Sequence, residues 1–119
     1  MNKNSKYDLE ERTFQFAKEV RLFIKGLEKS IANFEDAKQV VRSSESIGAN
    51  YIEANESLSK KDFVYRVKIS RKEAKESVYW LRLINKTNKF QNNNNKVEKL
   101  IQEATELKKI LSAIIEKSK

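Results

Sequence analysis

No proline interrupts this sequence, and glycine occurs only at Gly26 and Gly48. Proline and glycine supply most of the punctuation that ends helices and shapes turns and hairpins, so a chain almost without them is left with long helices as its favoured backbone state. Alanine, leucine, lysine and glutamate recur throughout and reinforce that preference. A hydrophobic share of 39% gives enough apolar material for a core despite 35% charged residues, and 119 residues suit one core rather than two. The expectation is a single all-α domain over residues 1–119.

Four times a side chain able to cap a helix precedes an acidic residue by three positions: Asp8 with Glu11, Asn33 with Asp36, Ser59 with Asp62 and Asn95 with Glu98. Such pairs satisfy orphan amide groups and complement the positive end of the helix dipole. They predict four helices, at about 9–27, 35–57, 60–89 and 96–117. The run Asn92 to Asn95 competes for backbone hydrogen bonds and marks the loop before the last of them. All links are short, which makes neighbouring helices antiparallel and gives an up-down-up-down four-helix bundle.

Hydrophobic periodicity agrees. The first helix collects Leu9, Thr13, Phe16, Val20, Phe23, Ile24 and Leu27 on one face, and the fourth collects Val97, Leu100, Ile101, Ala104, Leu107, Leu111, Ile114 and Ile115. The second turns smaller residues inward, among them Ala37, Ser44, Gly48 and Ala54, and Gly48 predicts the closest backbone approach.

The third helix sorts into three faces at 100° per residue. Phe63, Val67, Ser70, Ala74, Val78, Leu81 and Ile84 form the core face. Lys68, Arg71, Lys72, Lys75, Arg82, Lys86 and Lys89 form a basic stripe with Tyr79 among them. Tyr65, Ile69, Glu73, Glu76, Trp80 and Leu83 form a mixed face whose apolar bulk calls for a cover, either a second subunit or, for Trp80, a neighbouring helix. On the second helix, Arg42, Ser46, Ala49, Asn50 and Glu53 make a polar ladder beside the core. Arg42 and Glu53 are too far apart to pair with each other, so each is expected to find a partner on another helix or subunit, Glu73 or Glu76 for Arg42 and Lys72 or an arginine for Glu53. Arg42, Asn50 and Glu53 are thus expected at the oligomer interface as polar glue that fixes register or assembly, a binding site being the other reading.

Between residues 60 and 89 there are ten basic side chains and three acidic ones, nearly the whole of the net charge of +8. A cationic stripe of this kind suits phosphates, because each one neutralised releases counterions. On the first helix Phe14, Lys18, Arg21 and Lys25 share a face that would extend it, and Phe14 or Tyr79 could stack on a base. A merely solvated face, or one meeting an acidic protein partner, remains the alternative.

Chemistry is conspicuous by what is missing. Without histidine or cysteine there is no thiolate or imidazole metal site and no nucleophile with an imidazole base, so only a serine with a lysine could serve, and nothing singles out such a pair. Glu73 and Glu76 stand one turn apart, but carboxylate-bridged metal bundles also need Glu-x-x-His pairs. There is no Gly-rich phosphate loop. The reading is of a non-enzyme that needs no metal or other cofactor. No apolar run is long enough to span a bilayer and the N-terminus is polar, which makes the cytoplasm the expected location.

The run Arg42-Ser43-Ser44-Glu45-Ser46-Ile47-Gly48-Ala49-Asn50-Tyr51-Ile52-Glu53-Ala54, followed by Ser59, Asp62-Phe63, Lys72-Glu73-Ala74, Glu76-Ser77 and Trp80-Leu81, resembles the bacterial four helix bundle protein family. That family includes proteins encoded in intervening sequences of 23S ribosomal RNA genes, once labelled S23 ribosomal proteins. Asp8-Leu9, Arg12-Thr13 and Phe16-Ala17 match its usual opening. The resemblance spans nearly the whole chain and is weakest in the fourth helix; Glu28 stands where the family often has a proline. It implies a barrel-like homopentamer, which would cover the mixed face of the third helix. Through the related accessory variability proteins of diversity-generating retroelements, it also implies binding of nucleic acid and of a protein partner such as a reverse transcriptase.

Overall fold

The computed structural model describes residues 6–90 and 95–119. Within them four helices follow one another: α1 (Lys6–Lys25), α2 (Ile31–Asn55), α3 (Lys60–Thr87) and α4 (Lys96–Lys117), with no strand among the described residues. The bundle is all-α, as expected.

The boundaries follow the capping chemistry, with corrections. Ser59 caps α3 as its spacing predicts, in extended backbone with its Oγ accepting the Asp62 amide at 3.1 Å. For α2 the cap is Ser30, not Asn33: Ser30 Oγ accepts the Asn33 amide at 3.1 Å, so the helix starts several residues earlier than about 35. Asn33 is buried inside the first turn and its side chain is engaged elsewhere. Asp8 also lies within its helix, which begins at Lys6. Asn95 immediately precedes α4 but makes no side-chain capping bond. At the other ends, α1 and α2 stop at Lys25 and Asn55, two residues short of the positions predicted. Asn88 takes an extended conformation that ends α3, which leaves Lys89 off the helix. Asn92 to Asn94 lie outside the described residues.

Cross-helix contacts fix the directions. Asn55 donates to Glu10 and Arg21 to Glu45 across α1 and α2. Asn33 meets Asn88, and Ser43 meets Ser77, across α2 and α3. Arg12 meets Glu103, and Lys96 meets Glu19, across α1 and α4. In each pair of helices the numbering rises on one as it falls on the other, so all consecutive helices are antiparallel. α1 touches α2 and α4, α3 touches the same two, and α1 and α3 lie on a diagonal without contact.

The core is the set of stripes read from periodicity. Phe16, Val20, Ile47, Val67, Leu81, Ile84, Val97, Leu107 and Leu111 are almost entirely removed from water, each such side chain contributing roughly 1.5–3 kcal/mol. Between α2 and α3 the contact is made by small residues. The hydroxyls of Ser43 and Ser77 are 2.8 Å apart, and Ser70 Oγ donates to the Ile47 carbonyl at 2.7 Å. Gly48 faces α1: a Cβ there would lie 2.8 Å from Thr13 Oγ1 and 3.2 Å from Thr13 Cβ, which confirms the expected close approach.

Candidate nucleic-acid interface

α3 runs unbroken from its Ser59 cap to Thr87, so the basic residues spaced three, four and seven apart fall on one side of a straight rod. From Lys68 to Lys86 the stripe extends about 27 Å along the axis. Lys68, Lys72, Lys75, Arg82 and Lys86 are exposed, and Arg71 is half-buried toward α4. α4 adds to this surface: Lys68, Arg71, Lys72 and Lys75 line a shallow cleft of about 370 Å³ together with Lys108 and Ser112. None of these cations has a carboxylate within ion-pairing distance among the described residues. Sequence reasoning missed Lys108 and Ser112, although a signal was present. The short link from Asn88 to Asn95 sets an antiparallel register that brings Lys108 level with Lys75.

The first-helix set does not join this surface. Phe14, Lys18 and Arg21 line a separate groove between α1 and α2, with Glu45, Ala49 and Ile52 opposite, and Arg21 is paired with Glu45. Lys25, at the end of the same helix, is exposed. Because α1 and α3 are diagonal, these residues sit across the bundle from the stripe. A cleft of about 600 Å³ between α1 and α4 holds Arg12 and Lys96 in ion pairs with Glu103 and Glu19. Arg12 grips Glu103 through two bonds of 2.7 and 2.9 Å, which hold its guanidinium above its ordinary pKa.

The mixed face of α3 is partly reassigned. Glu73 belongs to the buried set at 8% exposure, and Ser77, absent from the predicted core, is fully buried. Trp80 is half-buried and packs on the core. Tyr65 remains 61% exposed, and Ile69, Leu83 and Glu76 are half-buried beside it. The ladder on α2 is divided, with Asn50 facing α3 and Ala49 lining the α1–α2 groove, and the expected ion pairs do not form: among the described residues neither Arg42 nor Glu53 has a carboxylate or cation within ion-pairing distance. Asn50 is used internally, accepting from Arg66 at 3.3 Å and donating to the Ser46 carbonyl at 2.9 Å. Glu73 Oε1 is buried without a hydrogen-bond partner. Desolvation pushes its carboxyl above the usual range and the charge of Glu76 adds to this, while Arg42 and Lys72 oppose both.

Other exposed apolar side chains were not foreseen. Phe34 and Ile31 are 64% and 87% exposed at the start of α2, where the sequence reading placed a link. Ile52 shares the α1–α2 groove with Phe14. Among the described residues no group of three or more acidic, histidine or cysteine side chains is placed to hold a metal ion, and no helix is long and apolar enough to cross a membrane.

Together, a four-helix bundle with a cationic α3–α4 edge and small residues at its central seam defines the class. The family model for the 23S rRNA-intervening sequence protein matches residues 5–113, and the chain belongs to that family. A solved structure from Bacteroides thetaiotaomicron, a protein of unknown function from the S23 ribosomal protein family, is 32% identical with a TM-score of 0.82, over 93% of this chain and 97% of that one. No curated protein matches.

Proposed function

We propose that the protein is a small homo-oligomer that binds RNA or DNA through phosphate contacts on its α3–α4 edge, with little base specificity. The observation that carries this reading is a set of cations without an ion pair among the described residues: Lys68, Arg71, Lys72, Lys75, Arg82 and Lys86 on one helix face, joined by Lys108 from the next helix. Cations left without acidic partners along about 27 Å are placed for successive phosphates rather than for internal ion pairs.

Support for self-association comes from the α2–α3 side. Tyr65 is exposed, Arg42 and Glu53 have no ion pair among the described residues, and the buried Glu73 Oε1 lacks a hydrogen bond. A neighbouring copy offers both charges in return, and family resemblance implies a pentamer. Light scattering on the purified protein tests this part, and a monomer at micromolar concentration overturns it.

The binding part is tested by titrating a structured RNA at increasing salt. With six or more phosphates neutralised, affinity falls by about a thousandfold between roughly 50 and 200 mM salt. Flat salt dependence, or no binding at the low end, rejects the proposal. Capture of an acidic protein that persists after nuclease treatment would favour an interaction scaffold instead.

A further inference from the structure

Tyr79 sits in the middle of the cationic stripe. On α3 it stands four residues after Lys75, seven after Lys72, three before Arg82 and seven before Lys86, so all four flank it on one face. It is 55% exposed; Glu73 is buried, and the half-buried Glu76, three residues before it, is the one carboxylate of the helix set against these four cations. The ring is also braced. Trp80 packs on the core and meets Tyr79 edge to face, with centroids 5.0 Å apart and planes at 81°. A T-shaped contact of this kind covers at most one face of the phenol ring, so Tyr79 is held in place with aromatic surface facing water.

An exposed ring fixed between cations adds nothing to the core and little to a stripe that meets only phosphates. It has a use when bases are unstacked. Single-strand binders combine a cationic track with aromatic rings on which bases stack, whereas in a duplex the base faces are hidden except at the ends. We infer that Tyr79 is a stacking platform for an unpaired base, and that the α3–α4 edge therefore prefers single-stranded nucleic acid over duplex. This rests on the nucleic-acid reading above and names the class of substrate within it. Phe14, also exposed, is across the bundle beside the Arg21–Glu45 pair and takes no part.

The test uses the full chain and two labelled probes of equal nucleotide count, a uridine oligomer of about 16 nucleotides and a blunt RNA duplex. Affinities are compared for the wild type, Tyr79→Leu and Tyr79→Phe at one salt concentration and then across a salt series. Tyr79→Leu should weaken binding of the single strand about tenfold without changing the salt slope, leave duplex binding within about twofold, and be rescued in Tyr79→Phe. A thymidine oligomer should behave like the uridine one, since stacking does not read the 2′-hydroxyl. Unchanged far-ultraviolet circular dichroism and an unchanged thermal melting transition report that the variants are folded; the emission of Trp80 does not serve for this, because its ring touches the substituted one. If both probes bind and Tyr79→Leu acts equally on the two or on neither, the stacking role is wrong and phosphate binding survives. If neither probe binds at low salt, both readings fall together.

Discussion

Asn33 and Asn88 exchange two side-chain hydrogen bonds across the α2–α3 seam, Nδ2 of each donating to Oδ1 of the other at 2.7 and 2.9 Å. Each amide has one further use. Asn33 Nδ2 donates to the Glu28 carbonyl at 2.8 Å, and Asn88 Nδ2 donates to the Ile84 carbonyl at 2.8 Å. The pair thus ties the α1–α2 turn to the end of α3, with every amide hydrogen used.

Because Asn33 is buried, truncating it leaves polar groups without partners. Asn33→Ala should lower stability by about 1–3 kcal/mol, and Asn88→Ala by a similar amount. The double variant should cost clearly less than the sum, since either change already breaks the exchange. Urea midpoints for the four proteins check this; strict additivity would show that the two amides act independently.

This pair also shows where the sequence was silent. Both Ser30 and Asn33 have capping chemistry, and the acidic residue three positions after Asn33 favoured the later start. What decides the matter is Asn88, 55 residues away, which no local pattern reveals. The unbroken α3 was legible, by contrast, because Ser59 and Asp62 fix its start and neither glycine nor proline interrupts it. Its basic stripe follows from helical geometry alone. Glu73 was misplaced because it falls on the boundary between the mixed and core faces, and a single helix does not say on which side its neighbour packs. Glu73 is buried there within electrostatic reach of Arg42 on α2, and Trp80 packs on the core from outside the predicted stripe.

Gly48 and Thr13 are in close contact between α2 and α1. In a helix, Gly→Ala normally gains up to about 1 kcal/mol. Here the added methyl meets a β-branched side chain that is 1% exposed and whose hydroxyl donates to the Glu10 carbonyl at 2.9 Å, so Thr13 cannot swing aside without losing that bond. Gly48→Ala should therefore destabilise the protein by about 1–3 kcal/mol despite its better propensity. Adding Thr13→Ala removes the clashing oxygen and should recover part of the loss in thermal melts. A Gly48→Ala protein as stable as wild type would refute the close contact.

Glu73 gives a pH-dependent signature. Its folded carboxyl titrates above the ordinary value of 4.5, chiefly through desolvation, so the fold favours the protonated form. Relative to acid conditions, stability is lost as pH rises from the unfolded value through the raised folded one. Glu73→Gln mimics the protonated group and should match wild type near pH 4 while exceeding it in stability near about pH 7. Denaturant melts at the two pH values read the difference. The opposite sign at neutral pH would mean that the carboxylate has acquired a cation from another subunit, which bears directly on self-association.

The separation of the two basic surfaces makes the binding face addressable by charge reversal. Lys75 and Lys108 line the α3–α4 cleft, whereas Lys18 and Lys25 lie on α1 across the bundle. Reversing both members of either pair changes the net charge equally, so long-range attraction to a polyanion falls by a similar amount in the two variants. Only the cleft pair should also remove phosphate contacts. Lys75→Glu with Lys108→Glu should lower affinity for RNA by about 100-fold at moderate salt and reduce the salt slope by about 1–2, uniformly across sequences. Lys18→Glu with Lys25→Glu should cost no more than about threefold and leave the slope near its wild-type value, because no phosphate contact is lost there. Equal losses from the two pairs would mean that overall charge, rather than the α3–α4 edge, governs binding.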